Sequence, residues 1–219
     1  MTDFADMTLD ELRLAMAPTV AEAAIFDGWS ADAVAAAAND LKVDPDVAAL
    51  AYPGGAMDMI AAWIQAIDAD MAEALTQDAL ANMPIRERIR CLIQFRLDAV
   101  AGLEEALRRA LAIMAMPQNA ARSLKTGWHS ADIMWRLAGD TATDYNHYTK
   151  RTILAGIYGA TLAVFVGDDS EGKADTKAFL GRRIEGVMKF EKAKARLLNS
   201  DRESFSLVRL LGRLRYPAR

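Results

Sequence analysis

The sequence predicts an all-α protein. The chain has 219 residues, of which 53% are hydrophobic, and it is rich in alanine, the residue that most favours helices. Its 13 glycines and 6 prolines lie mainly at the junctions between segments of helical periodicity, where they start or end helices. No apolar run reaches the ~18 residues that a membrane-spanning helix needs, and the length corresponds to one or two small domains.

The first 53 residues, here called the head, are predicted to form three helices. Thr8 begins a Thr-x-x-Glu capping box for the first helix, Ser30 caps the second, and Asp44 or Pro45 opens the third. A helical body follows over residues 54–199 and begins with a long helix. This order of short helices, tight turn and long helix is the layout of a TetR-type helix-turn-helix protein.

The body is predicted to contain six helices separated by Gly, Pro and polar turns. They cover approximately 56–82, 84–102, 103–115, 118–137, 141–166 and 173–199. Four arginines of the 84–102 helix are predicted to point away from its apolar stripe: Arg86, Arg88, Arg90 and Arg96. Small residues on the 141–166 helix form a stripe that is predicted to let another helix approach closely: Thr152, Gly156, Gly159, Ala160 and Ala163.

Charge is unevenly distributed around the net value of −4. Lys42 is the only base between residues 14 and 85, whereas the segment from residue 177 onward carries twelve bases and four acids. A DNA-binding head needs Lys or Arg to neutralise phosphates, and the candidate recognition helix, residues 46–52, has neither. We therefore expect no nucleic-acid partner, and a TetR-type regulator that senses an apolar ligand is the alternative function.

Residues 107–166 carry most of the Met and aromatic residues that could line a pocket. Side chains of this kind at helical spacing are most often an ordinary core. The alternative is an apolar pocket that opens near Asp132 and Arg151. A plain dimeric interaction protein with a filled core is a third possibility.

The sequence lacks the motifs of common catalytic sites, such as a Gly-rich phosphate loop, a nucleophile elbow or a zinc cluster. His129 with Asp132, and Asp144 with His147, are the only His–carboxylate pairs at helical spacing, fewer ligands than a di-iron site needs. Neither His has a Ser or Cys to activate, and Cys91 is the only cysteine. We expect no catalytic residue, no metal and no cofactor.

The tail, residues 200–219, is predicted to form a basic amphipathic helix. One face carries leucines and the opposite face arginines; its predicted membrane-binding residues are Leu207, Arg209, Leu210, Leu211, Arg213 and Leu214. Such a helix suits an anionic membrane surface, and docking on the body or on a dimer mate is the alternative. Because the N-terminus carries no basic-then-apolar signal, we expect a cytoplasmic protein that associates peripherally with a membrane.

Several motifs within residues 107–183 are specific in combination. They are Met-Pro-x-Asn at 116–119, Met134-Trp135 followed by Ala-Gly-Asp at 138–140, Thr-Asp-Tyr-Asn at 143–146, Tyr-Thr-x-Arg at 148–151, Leu-Ala-x-Ile-Tyr at 154–158 and Gly-Asp-Asp-Ser at 167–170. In these motifs the chain closely resembles the ubiquinone biosynthesis protein nine family, the lipid-binding accessory proteins of coenzyme Q synthesis. The resemblance is weaker over the head.

The resemblance implies a TetR-like fold, a homodimer, and a pocket for an isoprenoid lipid, a quinone precursor or a phospholipid. It also implies presentation of the precursor to the demethoxyubiquinone hydroxylase at the inner membrane, with the tail helix engaging the bilayer. The residues expected to line the pocket are Met114, Met116, Trp135, Tyr158 and Phe165. Those expected to face the hydroxylase are Asp132, Met134, Asp144, Tyr148 and Arg151, together with His147, which stands where many members have Trp.

Overall fold

The fold is described from a computed structural model that covers residue 4 and residues 6–141 and 145–203. For residues 145, 146, 188 and 190–203 it describes the backbone alone. Within these ranges the regular secondary structure is entirely helical, which confirms the prediction of an all-α protein.

The α-helices of the described residues are α1 (Leu9–Asp27), α2 (Ala31–Leu41), α3 (Pro45–Leu50), α4 (Ala56–Ala74), α5 (Gln77–Leu80), α6 (Ile85–Ala99), α7 (Glu104–Met114), α8 (Ala120–Leu137), α9 (Tyr145–Phe165) and α10 (Ala174–Glu203). Single 3₁₀ turns cover Pro117–Asn119 and Glu171–Lys173. In the head, α1 packs on α2, and it also packs on α4 of the body; within the body, α9 packs against α8 and α10.

The helix starts of the head follow the predicted capping residues. The backbone N–H of Thr8 donates to the Glu11 carboxylate at 2.9 Å, and the Thr8 hydroxyl accepts from the N–H of Glu11, so the capping box is complete. Ser30 accepts from two N–H groups of the first turn of α2. Asp44 accepts from Asp46 ahead of α3. Local side chains therefore set where these helices begin.

The long helix predicted over 56–82 is interrupted. It ends at Ala74, and Thr76 begins the short helix α5 by accepting a hydrogen bond from the N–H of Ala79 at 3.3 Å. The amide of Gln77 donates to the carbonyl of Arg136 at 2.9 Å and so fixes the new direction against α8. A Thr side chain that caps a new helix competes with continuation of the old one.

The head is fixed to the body through Trp29. Its indole Nε1 donates to the carbonyl of Ala106 in α7 at 2.9 Å, and its ring lies 5.4 Å from the ring of Trp63 in α4. The guanidinium of Arg109 also donates to the carbonyl of Phe26 at 3.2 Å. These contacts join the end of α1 to the body on two sides.

The start of α10 is held by the carboxylate of Asp168, which is 6% exposed. One carboxylate oxygen accepts from the N–H of Ser170 at 2.9 Å and the other from the N–H of Thr176 at 2.8 Å. Hydrogen bonds from Ser170 and Thr176 hold the pKa of Asp168 well below its usual range, although burial opposes this. Asp168 thereby links the turn after α9 to the first turn of α10.

The helix α10 continues to Glu203, beyond the predicted end near residue 199. The predicted membrane-binding side chains lie outside the described residues: Leu207, Arg209, Leu210, Leu211, Arg213 and Leu214. Among the helices that the structure describes, none has the length and apolar character to cross a bilayer.

The four arginines of α6 were predicted to point away from its apolar stripe, and Arg96 differs from this prediction. Its side chain is 1% exposed, and its guanidinium forms an ion pair with Asp68 of α4, which is 3% exposed. A buried charge needs a partner of this kind. Because Asp68 lies 28 residues earlier in the chain, the periodicity of α6 gave no sign of the pair.

Candidate functional site

A cavity of about 650 Å³ lies between α4, α6, α7, α8 and α9. Its wall is largely apolar and includes Ile60, Trp63, Ile64, Ile67, Val100, Leu107, Leu111, Met114, Trp128, Tyr158 and Leu162. This volume is in the range of sites that bind small molecules in proteins. The arrangement can remove an apolar ligand from water.

One side of this cavity is formed by the small residues of α9. Thr152, Gly156 and Gly159 line it, and a Cβ added at either glycine would meet no atom within 4 Å. Ala160 and Ala163 are also exposed. Within the described part of this single chain, the stripe borders open space instead of the closely packed helix that the sequence predicted.

A polar cluster of four residues lies at the same wall: Arg96, Ser130 and Tyr158 line the cavity, and Asp68 contacts Arg96 and Ser130. The Ser130 hydroxyl donates to one oxygen of Asp68 at 2.7 Å, and the guanidinium of Arg96 pairs with the other. The guanidinium carbon lies 4.8 Å from the centre of the Tyr158 ring. Burial raises the pKa of Asp68, and the charge of Arg96 opposes that rise.

One buried polar atom of the cluster lacks a partner. Among the described side chains, the Nε–H of Arg96 is the buried nitrogen or oxygen group without a hydrogen bond. Unsatisfied buried donors are rare in folded proteins, and each costs free energy unless something accepts its proton. Arg96 lines the cavity, so a bound molecule could supply the acceptor.

A second cavity, of about 350 Å³, lies between α6, α9, α10 and the end of α8. Its wall combines isoleucines and leucine with Trp135, Arg86, Asp140 and Lys150. The indole of Trp135 donates to the carbonyl of Lys150 at 3.0 Å, and the Lys150 ammonium lies 5.4 Å from the centre of the Trp135 ring. This cavity is smaller and has charged groups in its wall.

The five residues expected to line a lipid pocket are placed in different environments. Met114 and Tyr158 line the larger cavity, and Trp135 lines the smaller one. Phe165, at the end of α9, is 2% exposed and packs in the core, while Met116 is 41% exposed beside the Pro117 turn. Neither Phe165 nor Met116 is part of either cavity wall.

The wall formed by α4 was missed by the sequence reasoning. Trp63 and its neighbours Ile60, Ile64 and Ile67 line the larger cavity. On a helical wheel these residues form one apolar stripe, which is also the pattern of a helix packed in a core. The sequence therefore contained the stripe but no signal that distinguished a cavity wall from a filled core.

Asp132 and Arg151 are joined in a larger ion-pair network. Arg151 Nε lies 2.6 Å from Asp132, and its Nη1 lies 3.1 Å from Asp140. Asp132 also pairs with Arg136 at 2.7 Å, and Asp140 with Lys150 at 2.6 Å. Although burial opposes the effect, Lys150 and Arg151 hold the pKa of Asp140 below its ordinary value.

The residues expected to face a partner protein do not share one surface. Tyr148 is 61% exposed, and its ring lies 5.9 Å from that of Trp128 and 5.1 Å from that of His147. Met134 and Arg151 are buried, with 0% and 2% exposed. Met134 faces the core from α8, and Arg151 turns inward because its two carboxylate partners lie there, so both lie behind the surface.

Asp132 is partly exposed beside this surface, with 17% of its side chain accessible. His147 is half-buried, and its backbone carbonyl accepts from Arg151 at 3.1 Å. Asp144 lies outside the described residues. We call the surface formed by Trp128, Asp132, His147 and Tyr148 the Tyr148 patch.

His129 and Asp132 are the His–carboxylate pair whose side chains the structure describes, and they are not part of a metal cluster. Across residues 6–141 and 147–187, no three His, Cys, Asp or Glu side chains are grouped to hold a metal ion. Asp144 falls outside that range.

Comparison with protein families connects residues 120–191 with the family described as COQ9. The chain is 33% identical over 168 residues to "Ubiquinone biosynthesis protein COQ9, mitochondrial" of Rattus norvegicus, covering 74% of this chain and 54% of that protein. The Homo sapiens protein of the same name is 30% identical, covering 74% and 52%. The chain thus spans about half the length of these relatives.

Among solved structures, the fold is similar to the TetR transcriptional regulator from Nitrosomonas europaea ATCC 19718. The TM-score is 0.63 at 22% sequence identity, covering 80% of this chain and 97% of the regulator. The similarity confirms the predicted TetR-like fold. At this level of identity it concerns the fold alone.

Proposed function

Because the chain belongs to the COQ9 family, we propose that it is a lipid-binding accessory protein of ubiquinone biosynthesis. It binds an isoprenoid quinone precursor in the larger cavity and presents it to a demethoxyubiquinone hydroxylase at the membrane. The observation that carries the proposal is the apolar cavity of about 650 Å³. Two of its walls, α8 and α9, fall entirely inside the residues that match the family.

The energetic basis of the proposal is removal of the isoprenoid chain from water. Burying apolar surface contributes roughly 25 cal/mol per Å², or ~0.8 kcal/mol per CH₂ group. The wall of Trp63, Leu111 and Leu162 supplies apolar contacts. In this role the protein transfers a molecule between membrane and enzyme and performs no bond chemistry itself.

The proposed partner and membrane contacts lie on different parts of the chain. The exposed Tyr148 ring, 5.9 Å from the ring of Trp128, supports the Tyr148 patch as the surface for the hydroxylase. Aromatic residues often dominate such interfaces. The arginine- and leucine-rich tail supports contact with an anionic bilayer, and a homodimer is part of the same proposal.

The binding proposal is tested by filling the cavity. Purified protein should release isoprenoid or phospholipid on extraction, detected by mass spectrometry. In Gly156→Leu the new side chain would enter the space beside α9, so we expect at least a tenfold loss of bound lipid with the fold retained. Gly186→Leu makes the same change at an exposed site on α10 and should bind like the wild type.

Two results would contradict this proposal. One is lipid-free purified protein that does not take up an added short-chain ubiquinone. The other is a Gly156→Leu variant that binds as much lipid as Gly186→Leu. Circular dichroism of both variants separates a loss of binding from a loss of fold.

A regulator that senses an apolar ligand is the alternative function, favoured by the TetR-like fold. The surface of α3 speaks against it, because Val47 and Leu50 are 41% and 64% exposed and the helix carries Asp46 but no base. DNA binding requires positive charge at this surface. A mobility shift of DNA from the promoter that flanks the gene, measured at low salt, would establish DNA binding by a regulator and overturn the accessory role.

A further inference from the structure

The larger cavity has two chemically distinct parts. Most of its wall is aliphatic and aromatic, whereas Arg96 and Ser130 place polar groups on one side. The Nε–H of Arg96 is buried and lacks an acceptor among the described residues. An apolar chain alone would leave that donor unsatisfied, at a cost in binding free energy.

The charges of the polar cluster determine which acceptor fits. Arg96 is already paired with Asp68, and both side chains are at least nine-tenths buried. A carboxylate or phosphate beside them would add a buried negative charge without a counter-charge. A neutral oxygen, such as a carbonyl, phenol or methoxy oxygen, satisfies the Nε–H without that cost.

The surroundings of the cluster fit a ring. Tyr158 lies against the Arg96 guanidinium at 4.8 Å, and Trp63 and Trp128 also line the cavity. Aromatic side chains of this kind pack favourably against flat rings. The small residues of α9 leave room on another side for a tail.

We propose that the polar cluster is the head-group subsite of the cavity and takes a neutral, oxygen-bearing ring with a prenyl tail, whose oxygen accepts a hydrogen bond from Arg96 Nε. This inference rests on the proposed lipid-binding function and adds to it the residues that hold the head group and the orientation of the ligand. The ring enters first and the tail runs along Gly156 and Gly159. The bound ring is thereby held away from water until transfer.

The test compares three isoprenoid probes by displacement of the neutral dye Nile red. They are a ubiquinone with two isoprene units, the hydrocarbon farnesene and the anion of farnesoic acid. A hydrogen bond to a charged group contributes ~1.5 kcal/mol or more, so the wild type should bind the quinone about tenfold more tightly than farnesene. Farnesoic acid should bind more weakly than the quinone.

The matched variant is Arg96→Lys, which keeps a positive charge opposite Asp68 but removes the Nε–H. We expect it to lose most of the preference for the quinone while farnesene binding changes less than twofold. Arg90→Lys is the control, because Arg90 lies on the same helix but pairs with Glu87 at the surface. It should keep the preference of the wild type.

The outcomes separate the two proposals. Equal binding of quinone and farnesene by the wild type, or tighter binding of farnesoic acid, overturns the head-group subsite and leaves lipid binding standing. Failure of all three probes to displace the dye overturns both. The wild-type comparison needs no variant, so it decides the inference even if Arg96→Lys does not fold.

Discussion

Arg151 is a buried arginine that holds two carboxylates of the body together. Its side chain is 2% exposed and joins Asp132 to Asp140. Arg151→Ala would leave both carboxylates partly buried without their partner. We expect it to lower the free energy of unfolding by about 3–5 kcal/mol, measured as the midpoint and slope of urea unfolding.

The control for Arg151 is Arg136→Ala. Arg136 pairs with the same Asp132, but its side chain is 69% exposed, and surface ion pairs contribute about 0–1 kcal/mol. Equal losses in the two variants would contradict an internal role for Arg151.

Tyr148 is the opposite case, since its exposed ring contributes little to the core. Tyr148→Ala should leave the thermal midpoint within a few degrees of the wild type. On the proposed function it should also weaken binding of the hydroxylase at least tenfold, because an exposed aromatic residue is a common interface hot spot. Calorimetric titration with the purified enzyme measures the effect. Phe26→Ala removes a ring that is 83% exposed on the head and should not alter the affinity.

Among the helices, a structural feature could be predicted from the sequence when its cause lies in residues next to it in the chain. The starts of α1 and α2 were predictable because Thr8 and Ser30 cap helices that follow directly. The end of α8 was predictable because glycine readily adopts the left-handed conformation that ends a helix, and Gly139 has a φ of +89°. The pair of Asp68 with Arg96 was not, because its partners meet only when α4 and α6 pack. The same limit applies to the cavity, whose walls look like a core until the helices are assembled.

The helix α9 offers a test of whether its glycines serve the cavity or the helix. Gly156 lies inside the helix, and a Cβ there would meet no atom within 4 Å. Gly156→Ala should therefore raise the free energy of unfolding by roughly 0.5–1 kcal/mol, because Ala has the better helix propensity. Gly28→Ala should do the reverse, since Gly28 has a φ of +68°. Destabilisation by Gly156→Ala would indicate that a second chain packs on this face in solution.

In the whole molecule, a TetR-like fold is combined with a head that carries very little positive charge. The head docks on the body through Trp29 and Arg109, and the ring of Trp29 contacts Trp63 of the cavity wall. The segment 14–85 carries one base, and α3 presents apolar and acidic side chains to solvent. Fold similarity alone therefore does not decide the function, and the cavity and its polar cluster carry that argument.

Acid unfolding measures one contribution to the stability of the whole fold. Because Ser170 and Thr176 hold the pKa of Asp168 below its usual range, the folded state favours the ionised carboxylate more than the unfolded chain does. The stabilisation is present above the unfolded pKa of ~4 and is lost as the pH falls through the lowered folded pKa. Thermal midpoints between pH 6 and pH 2 should therefore fall less steeply in Asp168→Asn than in the wild type. Asp169→Asn changes the exposed neighbour and serves as the control, and parallel curves for Asp168→Asn and the wild type would contradict the role of Asp168 in fastening α10.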